Sequence, residues 1–144
     1  MSARIEVSQV IDRPVAEVFH WYAHEHVRNH PRWDPDLELE QVSDGPIGVG
    51  TLIRRRNVRY GTPVEEFMEV VEFEPNRAFG AEIHGSVPAH GRVTFEAVGE
   101  DRTLLTIGAE MPSLDESTDT SFLESRVERS AQNIKRLIES EVEK

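Results

Sequence analysis

The sequence contains no cysteine. Disulfides, a thiol nucleophile and Cys-ligated zinc are therefore excluded. It is short of basic side chains: 16 Lys and Arg stand against 27 Asp and Glu, for a net charge of −11. Phosphates need Lys and Arg to neutralise them, so neither nucleic acid nor an anionic membrane surface is an expected partner. No apolar run approaches the roughly 20 residues that cross a bilayer, and the N-terminal stretch has no apolar signal core. Membrane insertion is not expected, and a cytoplasmic location follows by default. There is no GxGxxG or Walker loop for a nucleotide and no GxSxG for a hydrolase triad, so no cofactor is expected.

What is present fits one globular domain over residues 1–144, with 38% hydrophobic and 30% charged residues. The chain is organised around its last stretch, Thr118 to Lys144, which holds neither Pro nor Gly. Leu123, Val127, Ile134, Leu137 and Ile138 recur there at helical spacing, with charge on the other face. Thr118 or Ser121 is placed to cap this helix. Ala3 to Ile11 alternates as a strand. Asp12-Arg13-Pro14 then starts a helical stripe of Val15, Val18, Phe19 and Tyr22, and a second short helix or irregular turn runs to His30, where Pro31 is expected to stop it. Six more strands follow: Leu37 to Val42, Thr51 to Val58, Val64 to Phe73, Ala78 to Ile83, Gly91 to Val98 and Thr103 to Met111. Short turns between them imply an antiparallel meander, which needs the long helix to cover its apolar face.

Val93, Phe95 and Ala97 alternate with Arg92, Thr94 and Glu96, so odd numbers face inward. Leu105, Ile107, Ala109 and Met111 agree, as do Phe79, Ala81 and Ile83. The same parity in the fourth strand turns Phe67, Glu69, Val71 and Phe73 inward. It leaves Leu52, Val58, Val64, Met68 and Val70 on the outer face, which implies helix cover or a homodimer there.

Several stretches carry a resemblance: IEVSQVIDRPVAEVFHWYA at the start, RWDPDLELEQV after the short helices, GPIGVGT, VVEFEPNRAFGAEI, and HGRVTFEAVGEDRTLLTIGAEM near the end. Together with the element order they resemble the START-like (SRPBCC, Bet v 1-like) superfamily, in its polyketide cyclase/dehydratase and lipid-transport family. The resemblance implies a helix-grip fold of α+β class: a curved seven-stranded antiparallel sheet wrapped around the C-terminal helix, with two short helices after the first strand. It also implies an apolar cavity between sheet and long helix, holding a small apolar, aromatic or polyketide-like molecule. Members of the superfamily include carriers, cyclases or dehydratases, and partner-binding modules, and all three functions stay open.

The candidate site follows from parity within that fold. Arg55 and Glu69, both inward, are expected to face each other across the third and fourth strands, as a catalytic pair or as a salt bridge. In the superfamily such an Arg is thought to polarise a keto group, which Arg55 resembles by location. The expected cavity wall is Trp33, Asn57, Phe67, Val71, Phe79, Ile83, Phe95, Ile107 and Met111, with Val127, Ser130 and Ile134 from the helix. Ser130 is a small residue within the apolar stripe, leaving room for a ligand or for close helix–sheet contact. Trp33 sits in a turn, as pocket wall or as an anchor for the helix pair, and Tyr60 at a strand turn. His20, His24, His26 and His30 include two pairs at helical spacing, but the HExxH pattern is absent, so solvated or capping roles are expected and no metal.

Overall fold

Seven antiparallel strands lie in the order β1-β7-β6-β5-β4-β3-β2. They are β1 (Ala3–Ile11), β2 (Leu37–Gln41), β3 (Leu52–Asn57), β4 (Val64–Glu74), β5 (Ala78–His84), β6 (Ala89–Ala97) and β7 (Thr103–Met111). This is a computed structural model, and it describes residues 3–57, 64–85, 88–115 and 117–143. Consecutive strands from β2 to β7 pair as a meander, and β1 closes on β7 with Val7 opposite Ile107. The expected helix-grip order is the one observed. Val58 and Tyr60 lie outside the described residues.

The C-terminal helix α3 (Ser121–Glu141) buries Ala131, Ile134 and Ile138. Its start uses neither expected hydroxyl cap. Instead, Oδ1 of Asp119 accepts from the backbone N–H of Ser121 at 3.0 Å. Its far end is tied by Arg13, whose Nε donates to the Val142 carbonyl at 2.5 Å and whose guanidinium also reaches the Glu139 carbonyl. A cation thus satisfies carbonyls that the end of a helix leaves unpaired. Glu141 clamps α3 to the early helices, accepting from Trp21 Nε1 at 3.1 Å and from Arg32.

Between β1 and β2 the chain forms α1 (Val15–Phe19), a π-helical turn (His20–His24) and α2 (His26–Trp33). The Glu25 N–H bonds the His20 carbonyl at 3.2 Å, five residues back. This wide turn lets Trp21, Tyr22 and Ala23 all be buried in succession, which a regular helix face does not permit. Pro31 does not end α2 as expected. The helix runs on to Trp33, and the Asp34 N–H still bonds the His30 carbonyl at 3.0 Å. Ring packing outweighs the lost backbone bond: Trp33 stacks on Tyr22 at 4.9 Å and on His30 at 4.8 Å. Trp33 is therefore buried at a helix end and not presented by a turn.

Odd residues face inward on β1, β3, β5 and β7, but β4 departs from this. Met68 and Val70 are buried, while Phe67 and Val71 are each 37% exposed. A bulge between Val70 and Glu72 explains both frames. One extra residue switches the side that alternate side chains face, so even residues point inward up to Val70 and Phe73 points inward beyond it. The outer apolar set is thereby corrected: Met68 and Val70 leave it, and Phe67 and Val71 join Leu52 and Val64. Among the described residues no helix is long and apolar enough to cross a membrane.

Candidate functional site

A row of small residues crosses the middle of the sheet. Ala81 on β5 lies opposite Gly91 on β6, and Gly91 opposite Ala109 on β7. Large side chains flank this row, with Phe79, Val93 and Ile107 to one side and Met68 and Ile83 to the other. The bare row leaves a cavity of about 160 Å³ between the sheet and the early helices. A Cβ added at Gly91 would meet nothing nearer than two backbone oxygens at 4.0 Å. Glycine is thus not forced there by backbone crowding, and its missing side chain leaves space.

Four polar side chains converge on this apolar cavity: Tyr22, His26, His30 and Arg55. The first three stand four residues apart, on the face of the π turn and α2 that covers the sheet. His26 is almost wholly buried and His30 half-buried. Nδ1 of His26 lies 3.0 Å from the Tyr22 carbonyl, and Nε2 of His26 lies 3.0 Å from Nδ1 of His30. His26 also stacks on Phe79 at 4.8 Å. Arg55 comes from β3 and meets Glu66 of β4, directly opposite in register, at 3.6 Å. Both side chains are largely buried, with exposures of 18% and 16%. Without such a partner, a guanidinium in this position would be costly to desolvate.

The protonation states follow from burial. Burial lowers His26 to about 4, against the rise from its bond to the Tyr22 carbonyl, and the Arg55 charge lowers it further. Burial, the neighbouring His26 and Arg55 hold His30 well below the ordinary histidine value. Burial pushes the Tyr22 phenol up, with Arg55 opposing. Near neutral pH the cavity therefore presents two neutral imidazoles, a neutral phenol and one guanidinium paired with Glu66.

The family model described as polyketide cyclase / dehydrase and lipid transport matches residues 2–139. The chain belongs to this family. Among solved structures, the fold is shared with Ara h 8.0201 at a TM-score of 0.74 and 15% identity, covering 97% of each chain. It is shared with norcoclaurine synthase from Thalictrum flavum, in complex with dopamine and hydroxybenzaldehyde, at a TM-score of 0.73 and 15% identity, covering 100% of this chain and 90% of that one. Ginseng major latex-like protein 151 from Panax ginseng gives a TM-score of 0.74 at 15% identity, covering 94% and 97%. At such identities the likeness is one of fold. No curated protein matches the chain significantly.

Of the residues expected at the site, Arg55, Phe79, Ile83 and Ile107 line the cavity. Glu69 does not. The β4 bulge places it on the outer face, 3.6 Å from His84 and opposite Leu52 and Glu82 in register, so the expected Arg55–Glu69 pair is replaced by Arg55–Glu66. Phe67 and Val71 are outside for the same reason. Phe95 packs in the core against Phe19 at 5.0 Å. Asn57 ends β3 opposite Leu37 and Val64.

The expected share of the long helix is also corrected: among the described residues none of α3 lines the cavity. Ile134 is core. Met111 and Val127 belong to a second apolar cluster with Ala3 and Ile5, and Ser130 sits beside Trp33 and Asp34. Ala131, not Ser130, is the small residue buried in the stripe. Trp33 acts as an anchor, its carbonyl accepting from Asn133 Nδ2 at 3.2 Å. The residues that sequence reasoning missed are Tyr22, His26 and His30. Their repeated four-residue spacing was the available signal.

Proposed function

We propose that this protein binds a small, largely apolar molecule of about one ring in the cavity over Ala81, Gly91 and Ala109. The observation that carries this is the cavity itself, with apolar walls and four polar groups gathered at Tyr22, His26, His30 and Arg55. Such a distribution orients a ligand by its polar end and binds it by its apolar body. Its size of about 160 Å³ lies below the roughly 300–1,000 Å³ of sites for drug-sized ligands. This favours a single aromatic ring over a long lipid or an extended poly-keto chain. The family description, which includes transport, agrees with a binding role, and the norcoclaurine synthase structure holds dopamine and hydroxybenzaldehyde, molecules of this size.

A second reading is a cyclase or dehydratase of the same site. It is favoured by Arg55, a cation at an apolar cavity and placed to polarise a carbonyl. Glu69 has no part in it.

The test is a titration of the wild type and of Gly91→Val with para-nitroanisole, a neutral one-ring probe. The valine Cβ meets no backbone atom nearer than 4.0 Å, and its bulk takes up space over Gly91. Saturable binding to the wild type, lost in a variant with unchanged thermal stability, supports the reading. Equal binding to both, or none to the wild type, contradicts it.

A further inference from the structure

The hydrogen bonds of the two imidazoles fix their tautomers. A backbone carbonyl can only accept, so Nδ1 of His26, 3.0 Å from the Tyr22 carbonyl, carries the hydrogen. In the neutral ring its Nε2 is then an acceptor. The nitrogen facing it at 3.0 Å, Nδ1 of His30, must donate. That leaves Nε2 of His30 as the remaining acceptor of the pair, on a residue that lines the cavity. The chain runs in one direction, from His30 through His26 to the Tyr22 carbonyl. One added proton fits it without breaking a bond, at Nε2 of His30. The two imidazoles thus act as a base of capacity one.

The charges around this base determine what can protonate it. Facing the pair are the Tyr22 phenol from the π turn and Arg55 from β3 with Glu66 of β4 behind it, while the Arg92 guanidinium of β6 is held by Glu72 at 2.8 Å. A proton from solvent brings a cation into an apolar cavity already holding a guanidinium, and is disfavoured. A proton from a bound acid leaves its anion beside both Arg55 and the new imidazolium. The added positive charge is then matched by an added negative one.

We propose that this site is selective for small weak acids, namely phenols, enols or 1,3-dicarbonyls of about one ring, and holds them as their anions against Arg55 with the released proton on Nε2 of His30. The proposal rests on the binding reading above and adds the class of ligand. In the transfer the ligand's O–H or C–H bond breaks and its electron pair stays on the ligand. An N–H bond forms at His30, and no other reactant is needed. Hydrogen bonds to charged groups are the strong ones, so the anion gains where an ether of the same shape does not.

The experiment titrates the intact protein with para-nitrophenol and with its methyl ether, para-nitroanisole, at a pH well below the phenol's own pKa. The bound phenol's absorption spectrum is read directly, since phenol and phenolate differ in colour. The expected result is the phenolate band on binding, with the phenol preferred over the ether by roughly tenfold or more. His30→Gln and Arg55→Gln should each abolish the band in protein that circular dichroism shows to be folded. Binding of phenol and ether alike, with the spectrum of the neutral phenol, overturns the proposal and leaves the binding reading standing. Failure of both probes to bind wild type removes the binding reading itself. A phenolate band that persists unchanged in folded His30→Gln also overturns the assignment of the proton acceptor. The wild-type spectrum and the ether control do not depend on whether either variant folds.

Discussion

Nε2 of His26 and Nδ1 of His30 lie 3.0 Å apart at the cavity shared with Tyr22 and Arg55, and the other nitrogen of His26 is committed to the Tyr22 carbonyl. Burial of both rings opposes a charge and outweighs the Tyr22 carbonyl, which favours one on His26.

This pair gives stability a pH dependence with a definite sign. In the unfolded chain His26 titrates near its ordinary 6.5, and in the folded chain near about 4. Between these values the unfolded state binds more protons, so the contribution is complete above about 6.5 and is lost as pH falls toward 4. His30 is shifted the same way. Urea denaturation from pH 7 to pH 5 should show falling stability, by up to about 1.4 kcal/mol per pH unit for each histidine. The double variant His26→Gln, His30→Gln should flatten this slope. Glu72 and Glu141, held low by hydrogen bonds from Arg92 and Arg32, add their losses below about 4.5. A wild-type slope of zero between pH 7 and pH 5 would contradict the neutral pair.

The β4 bulge separates two frames by mutation. Met68→Ala removes a buried side chain and should cost about 2–5 kcal/mol. Phe67→Thr, on the outer face, should cost at most about 1 kcal/mol. Unbroken odd parity requires the reverse order. Chemical denaturation of the two variants distinguishes them.

Arg13 joins the end of β1 to the end of α3, and the Thr103 hydroxyl donates to its carbonyl at 2.9 Å. Arg13→Ala should therefore cost about 2 kcal/mol, because two helix-end carbonyls lose a charged donor. In a domain of this size that lowers Tm by roughly 4–8 °C. Little change in Tm would show that water replaces the guanidinium without loss.

Much of the fold was legible because β6 and β7 alternate cleanly: Val93, Phe95, Leu105 and Ile107 sit where their odd numbers put them. In β4 the run Phe67-Met68-Glu69-Val70-Val71 supports either frame, and only pairing with β3 and β5 selects one. Glu69 was misplaced for that reason, while Arg55, in an unbulged strand, was not. The histidines were obscured by Pro31 and by the π turn, neither of which local propensity anticipates. Stacking on Phe79 and Trp33 and the tilted contact with Tyr22 override that propensity, and they become visible only once the rings are in place.

The position of the ligand cavity is the central claim, and it departs from the expectation of a space walled by α3. The most direct measurement is an NMR titration of the labelled protein with para-nitroanisole, following backbone and imidazole signals. The predicted result is saturable shifts at Tyr22, His26, His30, Arg55, Ala81, Gly91 and Ala109, with Ser130 unmoved. Shifts centred on Val127 and Ser130, or no saturable shift anywhere, would contradict it.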